Sequence, residues 1–253
     1  MCGRYRLSTK GKTLEELFGA GLDDDTNSWP RPRFNVAPTD VMPVVRVAED
    51  GRRRISGLRW GLVPFWSRDL SQGARMINAR SETVQEKAAF KDCLRRRRCL
   101  VLADGFYEWK TLAAPPPGPR GGKKKPAKQP MLFAFDDDRP FAMAGLWARW
   151  KGPAAVDAPL DAPAVVVETF TIITAPANEL VGPIHDRMPL ILDPTDQELW
   201  LDPTVDDVDV ARLAQPHTLE RFTMRLVSSK VGNVKNDDAS ILIADDVETA
   251  KRK

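Results

Sequence analysis

The sequence predicts an α+β fold: a single domain whose mainly antiparallel sheet curls into a barrel-like shape, with short helices at its flanks. Three observations carry this. Short β-branched or alternating runs recur along the chain, each bounded by turn-forming glycine, proline or aspartate. Helix-period stretches are few and short. No internal repeat divides the 253 residues, a length that fits one large domain.

The elements follow in chain order. Thr13-Leu14-Glu15-Glu16 has capping-box spacing, with Leu14, Leu17 and Phe18 as the apolar stripe of a short helix ending at Gly19. Residues 23–33 are polar and proline-broken, a loop. Residues 41–47 and 55–60 alternate around Glu49-Asp50-Gly51, a hairpin signal. The aromatic 60–66 stretch, cut by Gly61 and Pro64, is expected as an exposed or half-exposed loop. Ser81 is placed to cap a helix through Phe90, with Val84, Ala88 and Ala89 inward. Residues 99–103 form a buried strand that Asp104-Gly105 turns into 106–110. The Pro, Gly and Lys of 111–130 bury too little apolar surface to order, so this stretch is expected as a mobile surface insertion. Strands follow at 131–135, 141–147 and 165–174, short helices at 177–180, 196–201 and 208–213, and a last strand at 222–227. The domain is expected to span 2–241, with 242–253 a tail.

Composition narrows the function classes. With 42% apolar and 29% charged residues the chain has the balance of a soluble globular protein. No apolar run reaches membrane-spanning length and no signal peptide opens the chain, so the cytoplasm, or the nucleoid in a bacterium, is the expected location. Three cysteines argue against a disulfide framework. Two histidines make a zinc site unexpected, and no metal or other cofactor is called for. The net charge is only +3, yet cations bunch at 52–54, 95–98 and 123–125, and there are seven tryptophans. Basic clusters interleaved with aromatics suit single-stranded nucleic acid.

Chemistry concentrates at Met1-Cys2-Gly3-Arg4. An initiator methionine before a residue as small as cysteine is normally trimmed, leaving Cys2 with a free amine beside a free thiol. An α-amine titrates near ~8, against ~10.4 for lysine, so a useful fraction is nucleophilic at neutral pH. With an aldehyde it forms an imine that the thiol can close into a thiazolidine. With an amide the thiol can instead be acylated while the amine serves as base. Further chemistry-capable residues stand in compact stretches: Asn78 to Thr83, Glu108 within Gly105 to Trp109, Thr174 to Asn178, and His185 to Pro189. Glu108 between Tyr107 and Trp109 has a route to a raised pKa through desolvation. His185 is the other side chain suited to proton transfer near neutrality.

Together, Met1 to Arg4, Asn35 to Thr39, Arg59 to Pro64, Asn78 to Thr83, Gly105 to Trp109 and His185 to Pro189 resemble the SOS response-associated peptidase (SRAP) family. The resemblance runs from about Cys2 to Ile241. It implies a sensor of abasic sites in single-stranded DNA that cross-links itself to the ring-opened sugar through an N-terminal cysteine thiazolidine, shielding the lesion. By the same resemblance Asn78 would orient the Cys2 amine, Glu108 would shuttle protons, His185 would act near the sugar oxygen or phosphate, and Thr174 would support that pocket. Arg4 and Arg80 would bind phosphates, while Pro38 and Trp66 would wedge and stack at a kink in the strand. Lyase activity at an uncaptured imine, and self-processing after Met1, belong to the same picture. Ala148 replaces a usual acidic residue, and Val231-Gly232-Asn233 replaces Val-Asn-Asn. A monomer is expected; protein partners are not legible.

Two other classes compete. Glutaminases with an N-terminal cysteine also begin Met-Cys-Gly, but usually continue with isoleucine and use an Asn-Gly pair for the oxyanion hole, which this sequence lacks. A non-catalytic nucleic-acid-binding module would bind in a salt-sensitive way without any covalent product.

Overall fold

The computed structural model describes residues 2–23, 31–113, 126–153, 163–205, 208–215 and 219–245. In order, the elements are β1 (Tyr5–Leu7), α1 (Gly11–Phe18), β2 (Gly21–Leu22), β3 (Arg33–Val36), β4 (Val41–Val47), β5 (Arg53–Trp60), β6 (Asn78–Arg80), α2 (Ala88–Arg96) and β7 (Arg98–Ala103). Then come β8 (Gly105–Thr111), β9 (Lys128–Phe135), β10 (Phe141–Gly152), β11 (Val165–Pro176), β12 (Arg187–Pro189), β13 (Ile191–Leu192), α3 (Pro194–Leu201), α4 (Val210–Leu213) and β14 (Phe222–Leu226). Among the described residues no helix is long and apolar enough to cross a membrane.

The expected barrel-like curl is present as a closed ring. β11 pairs β10, β10 pairs β7, β7 pairs β4 and β4 pairs β5, all antiparallel. A parallel seam, Thr169↔Arg59 and Phe170↔Trp60, returns β5 to β11. Closure leaves these strands no open edge to protect. Most of their apolar residues, among them Val44, Leu58, Leu100, Leu102, Met143 and Ile172, are buried. A second sheet runs β14-β9-β8-β1-β3, antiparallel throughout. The chain steps from ring to second sheet at Asp104, whose carboxylate accepts bonds from Ser8 N, Ser8 Oγ, Thr9 N and Thr9 Oγ1 at 2.6–3.0 Å and so pins the strand behind the N-terminus. Gly105 is required at this step, because a Cβ there would lie 2.9 Å from the Phe133 carbonyl oxygen.

Four expectations change. α1 begins at Gly11, and no side chain caps it; Thr13 lies inside its first turn, and the buried Leu14 and Phe18 hold the helix in place. Gly19 does close it in the left-handed conformation. The 81–90 helix is replaced by turns followed by α2, which buries Phe90, Cys93 and Leu94 and leaves Ala88 exposed. Ser81 and Glu82 are committed to β11 and Arg187, which holds the backbone out of a helix until Ala88. At 177–180 the Asn178 Oδ1 accepts from Val181 N, 3.1 Å, and the segment is a turn. Finally, 60–66 is mostly interior. Trp60, Leu62 and Val63 are fully buried, and only Phe65 (71% exposed) and Trp66 (53%) emerge. Of the 111–130 insertion, 114–125 lie outside the described residues, and β9 begins at Lys128.

Candidate active site

Four separated segments deliver the site. β1 runs antiparallel to β8 with Tyr5 opposite Phe106, and Tyr107 N donates to Arg4 O at 3.0 Å, so continuing the register backwards sets Gly3 against Glu108. Cys2 is fully buried, and Glu108 is 4% exposed. Asn78 opens β6, which lies parallel to β11, and its Nδ2 donates to the Cys2 carbonyl oxygen at 2.9 Å. The Asn78 Oδ1 is buried and has no hydrogen-bond partner among the described residues. His185 precedes β12; its backbone N bonds Val181 O, and its Nδ1 accepts from Arg187 N at 3.0 Å.

Electrostatics tie these residues together. Burial raises the Glu108 carboxyl above the ordinary carboxylate range, the positive charges of the chain's N-terminus and His185 oppose that rise, and Asp186 adds to it. Burial, then the Glu108 charge, raises the Cys2 thiol. The thiol is therefore held protonated, and the acid beside it is readier to exchange a proton than a surface glutamate at neutral pH. The Asp186 carboxylate lies 2.9 Å from His185 Nδ1. The bond from Arg187 N needs a lone pair on Nδ1, whereas a hydrogen bond to Asp186 needs a proton there, so the two contacts are alternatives for that one nitrogen.

Residue patterns alone assign no part to the clamp that fixes this loop. Arg187, 8% exposed, pairs with both Glu82 oxygens and donates to Thr174 O at 2.5 Å. Its guanidinium holds the Glu82 carboxyl down to about 2. β6, β11 and β12 are thereby locked side by side, with Asn78 on one strand and His185 just ahead of another. The available signal was opposite charges inside two motif stretches. Thr174, fully buried at the centre of the clamp, bonds Ala79 O and Arg187, so its contacts are with the clamp.

The other expected residues lie outside this cluster. Arg4 Nη1 donates to Asn35 Oδ1 (2.7 Å) and Val231 O (2.9 Å), and burial lowers its pKa. Asn35 Nδ2 binds the carbonyls of Val231, Asn233 and Asn236, so the late loop is held from Asn35 and Arg4 despite Gly232. Pro38 is half-buried and precedes Thr39, whose φ of +79° is held by Thr39 N bonding Trp60 O at 2.9 Å. A threonine in that region stores roughly 1–3 kcal/mol of strain. Phe65 and Trp66 are held out by a firmly anchored base: Gly61 at φ +117° packs on the Gly73 backbone, Val63 N bonds Thr169 Oγ1, and Trp150 Nε1 bonds Ser67 O. Arg80 is exposed and has no ion pair among the described residues. Among the described residues no group of three or more His, Cys, Asp or Glu is placed to hold a metal.

The chain is similar to known proteins along nearly its whole length. The family model described as SOS response associated peptidase (SRAP) matches residues 1–234. The chain is 36% identical over 244 residues to "Abasic site processing protein YoqW" of Bacillus subtilis, covering 96% of this chain and 99% of that one. It is 33% identical to "Abasic site processing protein HMCES" of Gallus gallus, covering 96% and 77%. A crystal structure of a protein from Bacteroides thetaiotaomicron aligns with a TM-score of 0.78 at 25% identity, covering 96% of this chain and all of that one. With a family model matched over residues 1–234 and relatives of 33–36% identity along nearly the whole chain, the chain belongs to the SOS response associated peptidase (SRAP) family.

Proposed function

We propose that this protein is a DNA-processing enzyme of the DNA damage response that captures abasic sites in single-stranded DNA on Cys2, once Met1 is removed. The observation that carries the reading is the convergence of Cys2, Asn78, Glu108 and His185, from four separate segments, on one buried centre. The names of the relatives, abasic site processing proteins, support the substrate.

Because burial keeps the thiol protonated, the amine is the first nucleophile. It attacks the sugar aldehyde carbon to form a carbinolamine. Glu108 gives a proton to the departing hydroxyl, the C–O bond breaks, and water leaves a protonated imine whose nitrogen keeps its hydrogen. The thiol sulfur then bonds the imine carbon while its proton returns to the Glu108 carboxylate. The product is a thiazolidine, with one water released. Asn78 Oδ1, buried without a partner among the described residues, is suited to accept from the freed amine. His185 serves the sugar oxygen or phosphate, and Thr174 holds its loop. Arg4 and Arg80 meet phosphates, and Pro38 and Trp66 wedge and stack the kinked strand. An imine left uncaptured can lose the 3′ phosphate by β-elimination.

The test is a denaturing gel of untagged protein with single-stranded DNA carrying one abasic site. A shifted, heat-stable adduct is expected, and none with a chain extended ahead of Cys2. The same pair of buried groups suits self-cleavage after Met1; mass spectrometry of Glu108→Gln from its native host should then find Met1 retained. Adduct formation by the extended chain would sink the amine-first reading.

A further inference from the structure

The arginine run at 95–98 has no part in the chemistry at Cys2, yet it shares a surface with the exposed aromatics. Phe65 and Trp66 line a crevice with Arg97, Arg149 and Asp92. Arg97 also lines a neighbouring groove of about 690 Å³ with Arg95, Arg96, Trp147 and Glu49. The two depressions adjoin at Arg97, which lines both.

Pairing sorts the arginines. Arg53, Arg54, Arg139, Arg212, Arg221 and Arg225 each have a carboxylate partner. Arg98 is buried and bonds the carbonyls of Leu94, Trp200 and Asp202, and Arg46 is stacked on Trp147 and paired with Glu168. Arg95, Arg96 and Arg149 are exposed, and with Arg97 they form no ion pair among the described residues. Among the described residues the buried Arg97 Nε has no hydrogen-bond acceptor, and the side chain's other contact is with the neutral Cys93 thiol. Four guanidinium groups thus face two carboxylates, Asp92 and Glu49, along the two depressions. Val47, on the groove, ends β4 about 20 Å from Val41 at ~3.3 Å per strand residue, and Val41 lies just past the Pro38-Thr39 turn.

We propose that single-stranded DNA continues past Trp66 along this path, its phosphates meeting Arg149 and Arg97 and then Arg95 and Arg96. The flanking strand then adds affinity without reading sequence. The inference rests on the reading of Phe65 and Trp66 as the rim of a single-stranded DNA site, and charge and continuity with that rim select the occupant. Unpaired guanidinium groups beside stacking aromatics are the two components that such binding needs.

The test separates this path from the chemistry at Cys2. Anisotropy of undamaged oligothymidylates of about 6 and about 20 nucleotides is measured between about 50 and 200 mM salt. For the triple variant Arg95→Gln, Arg96→Gln and Arg149→Gln, the slope of log affinity against log salt should shrink by about 2 on the long strand, at about 0.7 per lost phosphate contact. On the short strand it should not move. Equal slopes for wild type and variant on the long strand would overturn the path. An acidic peptide of matched charge binding as tightly would reassign the groove to a protein partner and overturn it too. Cross-linking of the variant to a short abasic strand is read separately. If wild type forms no adduct, the Cys2 chemistry falls, while the salt slope still decides the path.

Discussion

Cys2 and Glu108 are sealed from solvent, whereas Phe65 and Trp66 stand out into it. At the buried centre a few groups act on one another with little water between them, so burial, more than any neighbouring charge, moves a carboxyl and a thiol from their ordinary ranges. At the rim, charges are hydrated and screened, and each contact contributes a modest, salt-dependent increment. Function at the centre should be lost in single steps, and function at the rim should decline by degrees.

The largest expected effect is at Glu108. Glu108→Gln should slow adduct formation by about 10²–10⁴-fold and erase the fall in rate as pH climbs through the raised Glu108 pKa, where the acid that protonates the departing hydroxyl is lost, read by single-turnover gels. Stability follows the same direction. A carboxyl whose folded pKa is raised contributes stability present below its unfolded value and lost as pH rises through the folded one. At pH 7 Glu108→Gln should therefore melt no lower than wild type, and a large fall in Tm would show that Glu108 is structural.

Next is Cys2→Ser. With its amine free it should still form the imine but should not trap it as a stable thiazolidine, so nicked DNA replaces the adduct. Neither adduct nor nick would refute the order amine before thiol.

The clamp lies between the two regimes, because Arg187 is buried while the Glu82 side chain is 47% exposed. Glu82→Gln should cost about 1–3 kcal/mol in chemical denaturation, mostly from a guanidinium left with fewer acceptors rather than from the screened ion pair. The Glu82 carboxyl titrates at about 2 when folded, against an ordinary value of 4.5, so its stabilisation is present above about 4.5 and lost as pH falls toward about 2. In Glu82→Gln that acid-side loss should disappear. The smallest effect is at the rim: Trp66→Ala should weaken single-stranded DNA binding by about 1–3 kcal/mol, through lost stacking, with adduct formation at saturating DNA unchanged. A loss of rate at saturation would move Trp66 from the rim to the centre.

Legibility follows the range of the forces. The hairpin at 41–60, the buried strand at 99–103 and the turn at Asp104-Gly105 can be read because alternation and turn chemistry are local. The helix expected at 81–90 does not form because Ser81 and Glu82 are held by β11 and Arg187, more than ninety residues away in sequence. The 60–66 loop reads as exposed because glycine, proline and aromatics usually mark a surface. Gly61 instead allows the backbone to touch Gly73 and carry Leu62 and Val63 inward.

By itself the sequence determined the class of the fold, the family and the identity of residues able to do the chemistry, since each is written in residue type and short spacing. Only the tertiary structure decided that Cys2 is buried against Asn78 and Glu108, that Glu82 and Arg187 lock the strands around His185, and that Arg95 to Arg97 face the same surface as Trp66 while Arg98 turns inward. Burial and proximity between distant segments depend on how the ring closes, and no local pattern of residues encodes them.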